Sequence, residues 1–476
     1  MIFKGYLFSI LYVMLCLAIS LVIYKLGVPK KITRKVVHIL VGFEWVILYT
    51  FMGAGSLHFL AVCLLFLLLL FIEYKVKLLP MMSSDGDNAP GTVYYALAMS
   101  VVASVCIFVP DMIYPFGIAV FCTSFGDGLA GLIGQSVKKI NFKIWGSKSF
   151  VGGLVNLLVS FAVPFVFSRI FELYIPLWQC ALIAFMAFEL ELFCGRGIDN
   201  LCITLGVAAL SYLLMFVPGT LEYILPIMLT PLVIALVLRK KALTPSGVLA
   251  ALMLDLAVSI AFGNIGFAVL IIFFGGGVLT DKFKNRYKKT EQNATTEERT
   301  ALQVFANGFI GMACALAYVA TDRRVFLICF IAVFAEALAD TAASGIGAAS
   351  RSTYDIFRFR RCEKGESGGV SLIGTLAAVV ASLIITAVPL AAGRIVLTEF
   401  ALIVISAFIG VTVDSLLGSL LQAKYTCAVC GKMTEKSIHC DEKAERYRGL
   451  PFMTNSAVNF FSTVLTAVAA YLIFSI

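Results

Sequence analysis

Long apolar runs recur along the whole chain, separated by shorter polar stretches. Each run has eighteen or more residues, the length that an α-helix needs to cross the hydrocarbon core of a bilayer. We count about sixteen runs, centred near residues 16, 45, 63, 101, 122, 159, 184, 209, 229, 253, 272, 310, 333, 381, 408 and 466. The pattern predicts an all-α, polytopic integral membrane protein.

The composition agrees with this prediction. Of the 476 residues, 61% are hydrophobic and 14% are charged, and the mean hydropathy is +0.97. Soluble domains are closer to half apolar and a quarter charged. The composition therefore excludes a soluble globular protein.

Basic residues concentrate on one side of the predicted membrane. If the spans alternate from an outer N-terminus, the inner loops contain 32 of the 37 Lys and Arg residues. Cytoplasmic loops carry such an excess, so we expect an integral protein of a prokaryotic plasma membrane whose active sites face the cytoplasm. Topology also explains the net charge of +9, and no nucleic-acid partner is needed.

One short motif occurs twice in the chain. Residues 127–134 and 340–347 share the pattern Asp-x-x-Ala-x-x-Ile-Gly. After a basic loop in each case, residues 148–154 (KSFVGGL) and 370–376 (VSLIGTL) share Ser, Gly and Leu at equal spacing. We interpret the repeat as a divergent internal duplication of two related eight-helix halves, joined near residues 216–226.

Acids and glycines mark the first half. A carboxylate in a membrane helix costs about 3 kcal/mol on insertion scales, so such acids are kept when they bind a cation, a proton or one another. Glycines allow a phosphate or a neighbouring helix to approach the backbone, and a helix start with a Lys binds anions. The candidates are the acids Asp127, Glu189, Glu191 and Asp199, with Gly126, Gly128, Gly146, Lys148, Ser149 and Gly152. They suit a Mg²⁺–nucleoside triphosphate; the alternative is helix packing through glycine around a polar cavity.

The second predicted span begins with basic residues. We interpret Arg34 and Lys35 as markers of its cytoplasmic end, and His38, on the same helix face as Arg34, as a packed polar residue.

The second half has its own set of polar residues. Glu336 and Asp340 are four residues apart and share a helix face. Two buried acids repel unless a cation or proton lies between them, which predicts a Mg²⁺ site there. The other candidates are Asp414 and the phosphate- or cavity-lining residues Lys364, Ser367, Gly368, Gly369, Ser371, Asn455 and Asn459. For the amides, which include Gln303 and Asn307, the alternative is interhelical hydrogen bonding.

A cysteine motif lies in the last hydrophilic loop. The stretch CAVCGKMTEKSIHC contains Cys427, Cys430, His439 and Cys440, the four soft ligands typical of a structural Zn²⁺ site. The alternative is a set of free thiols.

Five motifs of the first half, in order, resemble the phytol kinase and dolichol kinase family, which is related to the membrane CDP-diacylglycerol synthases. They are RKVVHILVG, GTVYYAL, GDGLAGLIGQ, GSKSFVGGL and ELFCGRGIDNL, within residues 1 to about 215. The resemblance implies CTP-dependent phosphorylation of a long-chain isoprenoid alcohol. The residues that match the family's polar motif positions are Asp127, Lys148, Glu191, Asp199 and Asn200.

The second half, from about residue 225 to 476, is similar to a membrane family that includes the plant phytyl-phosphate kinase. The motifs are QVFANG, ADTAASGIG, GGVSLIGTLA, DSLLGSLLQ and NSAVNFFS. The resemblance implies addition of a second phosphate to an isoprenyl phosphate. Two positions depart from expectation: Gly345 replaces a Glu found in many relatives, and Val370 replaces the Lys expected from the first half, for which we expect Lys364 to substitute.

The leading hypothesis is therefore a fused bifunctional kinase. Residues 1–218 would phosphorylate an isoprenoid alcohol, and residues 222–476 its monophosphate, with CTP or another nucleoside triphosphate as donor. Mg²⁺ would be held by Asp127 in the first half and by Glu336 and Asp340 in the second. The alternatives are a cytidylyltransferase that makes a CDP-lipid, and a lipid or ion transporter with duplicated halves.

Overall fold

The computed structural model of the protein describes residues 2–53, 55–77, 90–136, 143–145, 148–195, 197–288, 298–350, 352–362, 366–431, 433–434, 438–440 and 442–475. The chain divides into two compact units. The first contains Met1–Leu221 and Ile227–Leu232, and the second contains Glu222–Pro226 and Val233–Ile476.

The first part of the chain is helical, with one short hairpin. Its helices are α1 (Ile2–Lys25), α2 (Lys30–Val41), α3 (Glu44–Met52), α4 (Leu57–Val76), α5 (Gly91–Phe108), α6 (Ile113–Phe121), α7 (Gly128–Ser136), α8 (Phe150–Ile170), α9 (Leu177–Phe193) and α10 (Ile198–Phe216). A π-helical turn, Cys122–Asp127, joins α6 to α7. Strands β1 (Lys143–Trp145) and β2 (Lys148–Ser149) pair antiparallel before α8.

The second part adds seven helices and seven short strands within the described residues. The helices are α11 (Ile224–Lys240), α12 (Pro245–Lys288), α13 (Ala301–Thr321), α14 (Val325–Gly347), α15 (Leu372–Ala391), α16 (Leu397–Leu420) and α17 (Asn455–Ser475). The strands are β3 (Tyr354–Asp355), β4 (Gly369–Val370), β5 (Lys424–Thr426), β6 (Met433–Thr434), β7 (Ile438–His439), β8 (Glu442–Lys443) and β9 (Glu445–Arg448).

The all-α membrane architecture is confirmed, but the count of about sixteen spans is not. In the described part of the chain, 14 helical segments are long and apolar enough to cross a membrane. The difference has two sources: α9 has only 17 residues, and α12 is one continuous element that contains two predicted centres. Non-helical backbone at Gly263 kinks α12 between them. Every predicted centre nevertheless lies in a helical segment.

The most buried segment of each unit carries the repeated Asp motif. In the second unit this segment is α14, which packs against α12, α13, α15, α16 and α17. Its sequence is apolar around its whole circumference and rich in alanine, as expected for a helix enclosed by others. In the first unit, the helical segment Pro110–Gly134 has the corresponding buried position.

In the first unit, the end of the Asp motif contacts the start of the following helix. The Ser149 side chain caps α8 by accepting a hydrogen bond from the Gly152 N–H at 3.3 Å. A Cβ placed on Gly134 would lie 3.0 Å from Ser149 Oγ and 3.2 Å from Gly152 Cα. The two helices therefore cross at a glycine–glycine contact, which only small residues permit.

The second unit repeats this contact. Ser371 caps α15 by accepting from the Gly374 N–H at 3.1 Å. A Cβ on Gly347 would lie 3.1 Å from Ser371 Oγ and 3.3 Å from Gly374 Cα. The repeated sequence motifs thus form the same packing unit in both halves, which supports the internal duplication.

This contact gives a first testable prediction. In a Gly374→Val variant, the new Cβ would lie 2.8 Å from the Ala343 carbonyl oxygen. We expect the overpacking to lower the free energy of unfolding by about 1–3 kcal/mol, seen as a lower midpoint of thermal unfolding in detergent. Gly275→Ala is the control, because no described heavy atom lies within 4 Å of a Cβ at Gly275. An unchanged midpoint for Gly374→Val would contradict the close crossing.

Candidate functional site

Three acids of the first unit converge from three different segments. Asp127 ends the π-helical turn, Glu191 lies near the end of α9, and Asp199 lies in the first turn of α10. All three are buried, and one carboxylate oxygen from each lies within 4.8 Å of the others. π-Helical turns are frequent at functional sites. We call these residues the first acid cluster.

The cluster is in contact with two side chains of α2. Lys35 Nζ lies 2.5 Å from Asp127 Oδ2 and 3.3 Å from the Asp127 carbonyl oxygen. His38 Nε2 lies 3.6 Å from the same carboxylate oxygen and 3.3 Å from the Thr123 carbonyl oxygen. The spacing of three between Lys35 and His38 places both on one helix face. A cation and an imidazole therefore border the acids. From the sequence, Lys35 is interpreted only as the marker of a span end and His38 only as a packed polar residue, so these contacts are missed.

The composition of the first acid cluster fits a divalent cation. Three carboxylates in a buried space repel one another, and Lys35 neutralises only part of their charge. Mg²⁺ prefers carboxylate oxygen ligands and completes its shell with water or with substrate phosphates. The donor set is therefore suitable for Mg²⁺, which Asp127 would hold together with Glu191 or Asp199.

The neighbouring candidates have structural contacts of their own. The Asn200 side-chain amide donates to the Gly91 carbonyl oxygen at 2.9 Å, and the Asn200 N–H donates to Asp199 Oδ1 at 3.1 Å. A Cβ on Gly126 would lie 3.0 Å from polar atoms of Asn156 and Ser160. Asn200 thus orients Asp199, and Gly126 lies against a polar surface.

Other glycine positions support helix packing. A Cβ on Gly128 would lie 2.4 Å from Ile39 Cγ1, so Gly128 allows α7 to approach α2. Gly152 uses its N–H in the Ser149 cap. Gly146 lies outside the described residues, as does the side chain of Lys148, so their predicted contacts with phosphate stay predictions.

The first unit also contains an apolar groove. Its volume is about 500 Å³, and it is lined by side chains that include Phe43, Trp45, Phe121, Phe125 and Phe167. Phe125 is two residues before Asp127 on the same π-helical turn. The groove thus has an aromatic wall and shares one helical turn with the first acid cluster.

A second group of acids lies in the second unit. Glu336 is buried, and its Oε1 accepts a hydrogen bond from Ser462 Oγ at 2.9 Å. The carboxyl group of Asp414 lies within hydrogen-bonding reach of the side chains of Asp340 and Ser462. Glu336, Asp340 and Asp414, which we call the second acid cluster, thus lie near one another between α14, α16 and α17.

The second acid cluster is less compact than the first. In the described part of the chain, only the first acid cluster and a cysteine group bring three ligand atoms within 4.8 Å. Within the same residues, Oε2 of Glu336 and Oδ2 of Asp414 have no hydrogen-bond partner. Buried carboxylate oxygens are almost always paired, so a proton or cation is expected to complete this cluster.

Two of the predicted amides meet at the contact between α13 and α17. Asn459 Nδ2 donates to Asn307 Oδ1 at 2.9 Å, which joins α17 to α13. This is the interhelical hydrogen bond of the alternative interpretation. Asn455 is the first residue of α17.

The loop before α15 is fixed by a residue that the sequence did not point to. Lys424 Nζ lies 2.9 Å from Glu366 Oε1 and donates to the Ser367 carbonyl oxygen at 3.1 Å. Gly368 has a φ of +83°, and a Cβ there would lie 2.5 Å from Ser419. A buried Lys therefore borders the predicted phosphate loop, whereas Lys364, the expected substitute, lies outside the described residues.

Asp355 anchors the other side of this loop, opposite Gly369 in the β3–β4 pair. Its carboxylate accepts from Ser419 Oγ at 2.8 and 2.9 Å and from the N–H groups of Phe357 and Arg358 at 3.0 and 2.8 Å. Burial opposes its ionisation, but these hydrogen bonds outweigh burial and lower the pKa of Asp355. Asp355 is thus ionised near neutral pH and holds the loop in place.

The cysteine group consists of Cys427, Cys430 and Cys440. Their three sulfur atoms lie within 4.8 Å of one another. The fourth predicted ligand is His439, whose side chain lies outside the described residues.

Comparison of the sequence with known proteins identifies a family. The family model described as integral membrane protein DUF92 matches residues 228–467, half of the chain. The protein belongs to the DUF92 family. The DUF92 match runs through α12–α16, so it includes the second acid cluster and the cysteine group.

Curated relatives of this DUF92 protein add further information. Phytol kinase of Synechocystis sp. is 31% identical over 192 residues, which are 39% of this chain and 79% of the relative. Protein VTE6, chloroplastic, of Arabidopsis thaliana is 29% identical over 190 residues, which are 38% of this chain and 57% of the relative. An uncharacterized membrane protein of Synechocystis sp. is 26% identical over 245 residues, 50% of this chain and 85% of the relative. These matches confirm the family resemblance predicted from the motifs. No solved structure matches the chain.

Proposed function

We propose that this DUF92 protein is a bifunctional membrane kinase. The first unit phosphorylates an isoprenoid alcohol, and the second unit phosphorylates the resulting monophosphate to the diphosphate. The observation that carries the proposal is the repeat of one buried acid site, in which an Asp-x-x-Ala-x-x-Ile-Gly helix packs on a Ser-capped helix in both units.

The relatives support this class of reaction. One of them is a phytol kinase, with 79% of its length aligned. A kinase for an isoprenoid alcohol acts on a substrate that lies in the bilayer and has an apolar tail and a polar head. We place the active sites at the cytoplasmic face of a plasma membrane, where CTP or another nucleoside triphosphate is available.

In the first unit, the hydroxyl oxygen of the alcohol attacks the γ-phosphorus of the nucleotide. The bond from this phosphorus to the β–γ bridging oxygen breaks, and the nucleoside diphosphate leaves. The hydroxyl proton passes to Asp199, with Glu191 as the alternative acceptor. Lys35 lies where it can neutralise charge on the transferred group. Bound Mg²⁺ would offset the charge of the β- and γ-phosphates.

In the second unit, an oxygen of the lipid monophosphate attacks the γ-phosphorus, the bond from this phosphorus to the β–γ bridging oxygen breaks, and the nucleoside diphosphate leaves. The attacking monophosphate is already anionic, so no strong base is required, which agrees with a less compact acid cluster. Glu336 and Asp340 would hold Mg²⁺, with Asp414 beside them. The loop of Ser367, Gly368 and Gly369, ending at Ser371, would receive the phosphates.

The apolar groove would accommodate the isoprenoid tail of the alcohol. Its volume of about 500 Å³ and its aromatic wall suit a branched hydrocarbon chain. Phe125 and Asp127 lie on the same π-helical turn, and in this proposal the hydroxyl head would extend from the groove to the first acid cluster.

The test uses purified full-length protein in lipid vesicles with Mg²⁺, γ-labelled CTP and geranylgeraniol, with lipid products separated by charge. We expect labelled monophosphate followed by diphosphate. Lipid labelled only from α-labelled CTP would instead identify a cytidylyltransferase. No labelled lipid from any prenol or prenyl phosphate with any nucleoside triphosphate would refute the kinase and leave transport as the function to assay.

Lys35 provides a more specific prediction in the same assay. We expect Lys35→Met to lower the rate of monophosphate formation about 10²-fold, because the cation 2.5 Å from Asp127 Oδ2 is lost. The rate of diphosphate formation from added monophosphate should not change. Arg34→Met, at the neighbouring cation of α2, is the matched control and should retain activity. Equal losses in both variants would mean that α2 contributes only general positive charge.

A further inference from the structure

The cysteine group lies at two turns of a small β-structure between α16 and α17. Cys427 and Cys430 flank a tight turn closed by the Gly431 N–H, which donates to the Cys427 carbonyl oxygen at 2.9 Å. Gly431 has a φ of +69°, and Cys440, at the turn between β7 and β8, has a φ of +53°. Both turns thus direct their thiols toward one point, where the three sulfur atoms lie within 4.8 Å of one another.

The described residues of this β-structure form too little apolar core to explain its fold. Strands β6, β5 and β9 form one sheet, β7 and β8 form a hairpin, and no described strand here is longer than four residues. Among the described residues from 425 to 448, only Cys427 is buried. Short strands without a hydrophobic face are not stable in water, and small structures of this kind are held by disulfides or metal ions.

We propose that Cys427, Cys430 and Cys440 bind a structural Zn²⁺ that holds this segment folded. Three cysteine sulfurs at this separation are suited to a tetrahedral Zn²⁺ site. On binding, the three thiols become thiolates and release their protons to solvent. The fourth ligand is the sequence candidate His439 or a water molecule, and the experiment below separates the two.

The zinc site is connected to the predicted phosphate loop before α15 through Lys424. Strand β5 starts at Lys424, three residues before Cys427, and this buried side chain contacts Glu366 and Ser367 in the phosphate loop. The base of the segment is closed by the Ala423 N–H, which donates to the Met453 carbonyl oxygen at 2.9 Å, two residues before α17. The zinc segment therefore fixes both the loop before α15 and the start of α17.

It follows that zinc controls the second phosphorylation but not the first. Lys424 is a positioning residue in this scheme, because it contacts the loop and not the reacting atoms. This consequence rests on the proposed function of the second unit, whereas zinc binding itself does not.

Zinc content tests the site without any assay of activity. The full-length protein, purified under reducing conditions without chelator, should contain about one zinc ion per chain by elemental analysis. Cys427→Ser, Cys430→Ser and Cys440→Ser should each lose most of the zinc, and Cys362→Ser, a thiol outside the cluster, should retain it. Loss in His439→Ala would identify the fourth ligand, and retention would assign it to water. Wild-type protein without zinc, or with a disulfide among these cysteines, would overturn the site.

The coupling is tested with prenyl monophosphate as substrate. Cys430→Ser and Lys424→Met should both lower diphosphate formation about 10²-fold through misplacement of the loop, with alcohol phosphorylation unchanged. Lys424→Met should retain its zinc, which separates positioning from metal binding. Full diphosphate formation by a zinc-free Cys430→Ser protein would overturn the coupling. If the wild type forms no phosphorylated lipid, the proposed function fails, and the zinc measurement still decides the site.

Discussion

Asp127→Asn is expected to abolish formation of both lipid products from a prenol substrate. The substitution keeps the shape of the side chain and removes its charge at the point where Glu191 and Asp199 meet it and where Lys35 pairs with it. We expect a fall of about 10³-fold in the rate of monophosphate formation, equivalent to about 4 kcal/mol of transition-state stabilisation. The measurement is transfer of the γ-label from CTP to geranylgeraniol.

Glu44→Gln is the matched control for this experiment. Glu44 is a buried acid of the first unit, on α3, and its carboxylate accepts a hydrogen bond from Ser9. The same change of acid to amide outside the first acid cluster should leave the rate unchanged. A comparable loss in both variants would show that removal of any buried charge disrupts the unit, and full activity of Asp127→Asn would contradict the assignment of the cluster.

The positions of the spanning helices can be predicted from local sequence. Their exact number cannot, because it depends on whether the chain kinks or turns between two apolar runs. Apolar runs predict the spanning helices because the bilayer requires each one to be apolar along its own length. The count depends on cases such as α12, where a kink at Gly263 separates two apolar runs within one element. The hydrophobic pattern is the same whether the chain kinks or turns at a glycine.

The acid residues of both clusters could be predicted by type, because a buried carboxylate is too costly to keep without a role. Their partners could not. Lys35 is separated from Asp127 by 92 residues, and a Lys at a helix end is explained equally well by topology. One sequence feature could have indicated this partner: Lys35 and His38 are three residues apart and therefore share a helix face.

Lys424 is a second residue whose partner could not be predicted from local sequence. The sequence predicts a cation near the second phosphate loop and offers Lys364, which lies in that loop. Lys364 lies outside the described residues, and the cation that the described structure shows beside the loop is Lys424, 58 residues from its partner Glu366 and on a strand of the cysteine segment. Contacts between a loop and a distant strand are set by tertiary packing, so no local pattern identifies them.

Asp340→Asn is expected to stop the reaction at the monophosphate. The variant retains the first acid cluster, so it should phosphorylate geranylgeraniol at the wild-type rate and accumulate monophosphate. Diphosphate formation should fall about 10³-fold, because Asp340 lies with Glu336 and Asp414 where the second phosphate would be transferred. The measurement is the ratio of the two labelled products at steady state.

Glu399→Gln is the control on the second unit. Glu399 lies in the first turn of α16, at the opposite end from Asp414, and pairs with Arg324 at 2.9 Å. This variant should make diphosphate normally. If Asp340→Asn also makes diphosphate normally, the second acid cluster is not the site of the second transfer.

A crossed experiment decides whether the two sites act independently. Asp127→Asn should convert added prenyl monophosphate to diphosphate, although it cannot use the alcohol. When Asp127→Asn and Asp340→Asn proteins share one vesicle, the second supplies the monophosphate that the first requires, so diphosphate should reappear from geranylgeraniol. Each buried carboxylate cluster would then be accounted for by one phosphoryl transfer. If neither variant completed the other, and Asp127→Asn also failed on added monophosphate, the repeated acid sites would belong to one shared reaction.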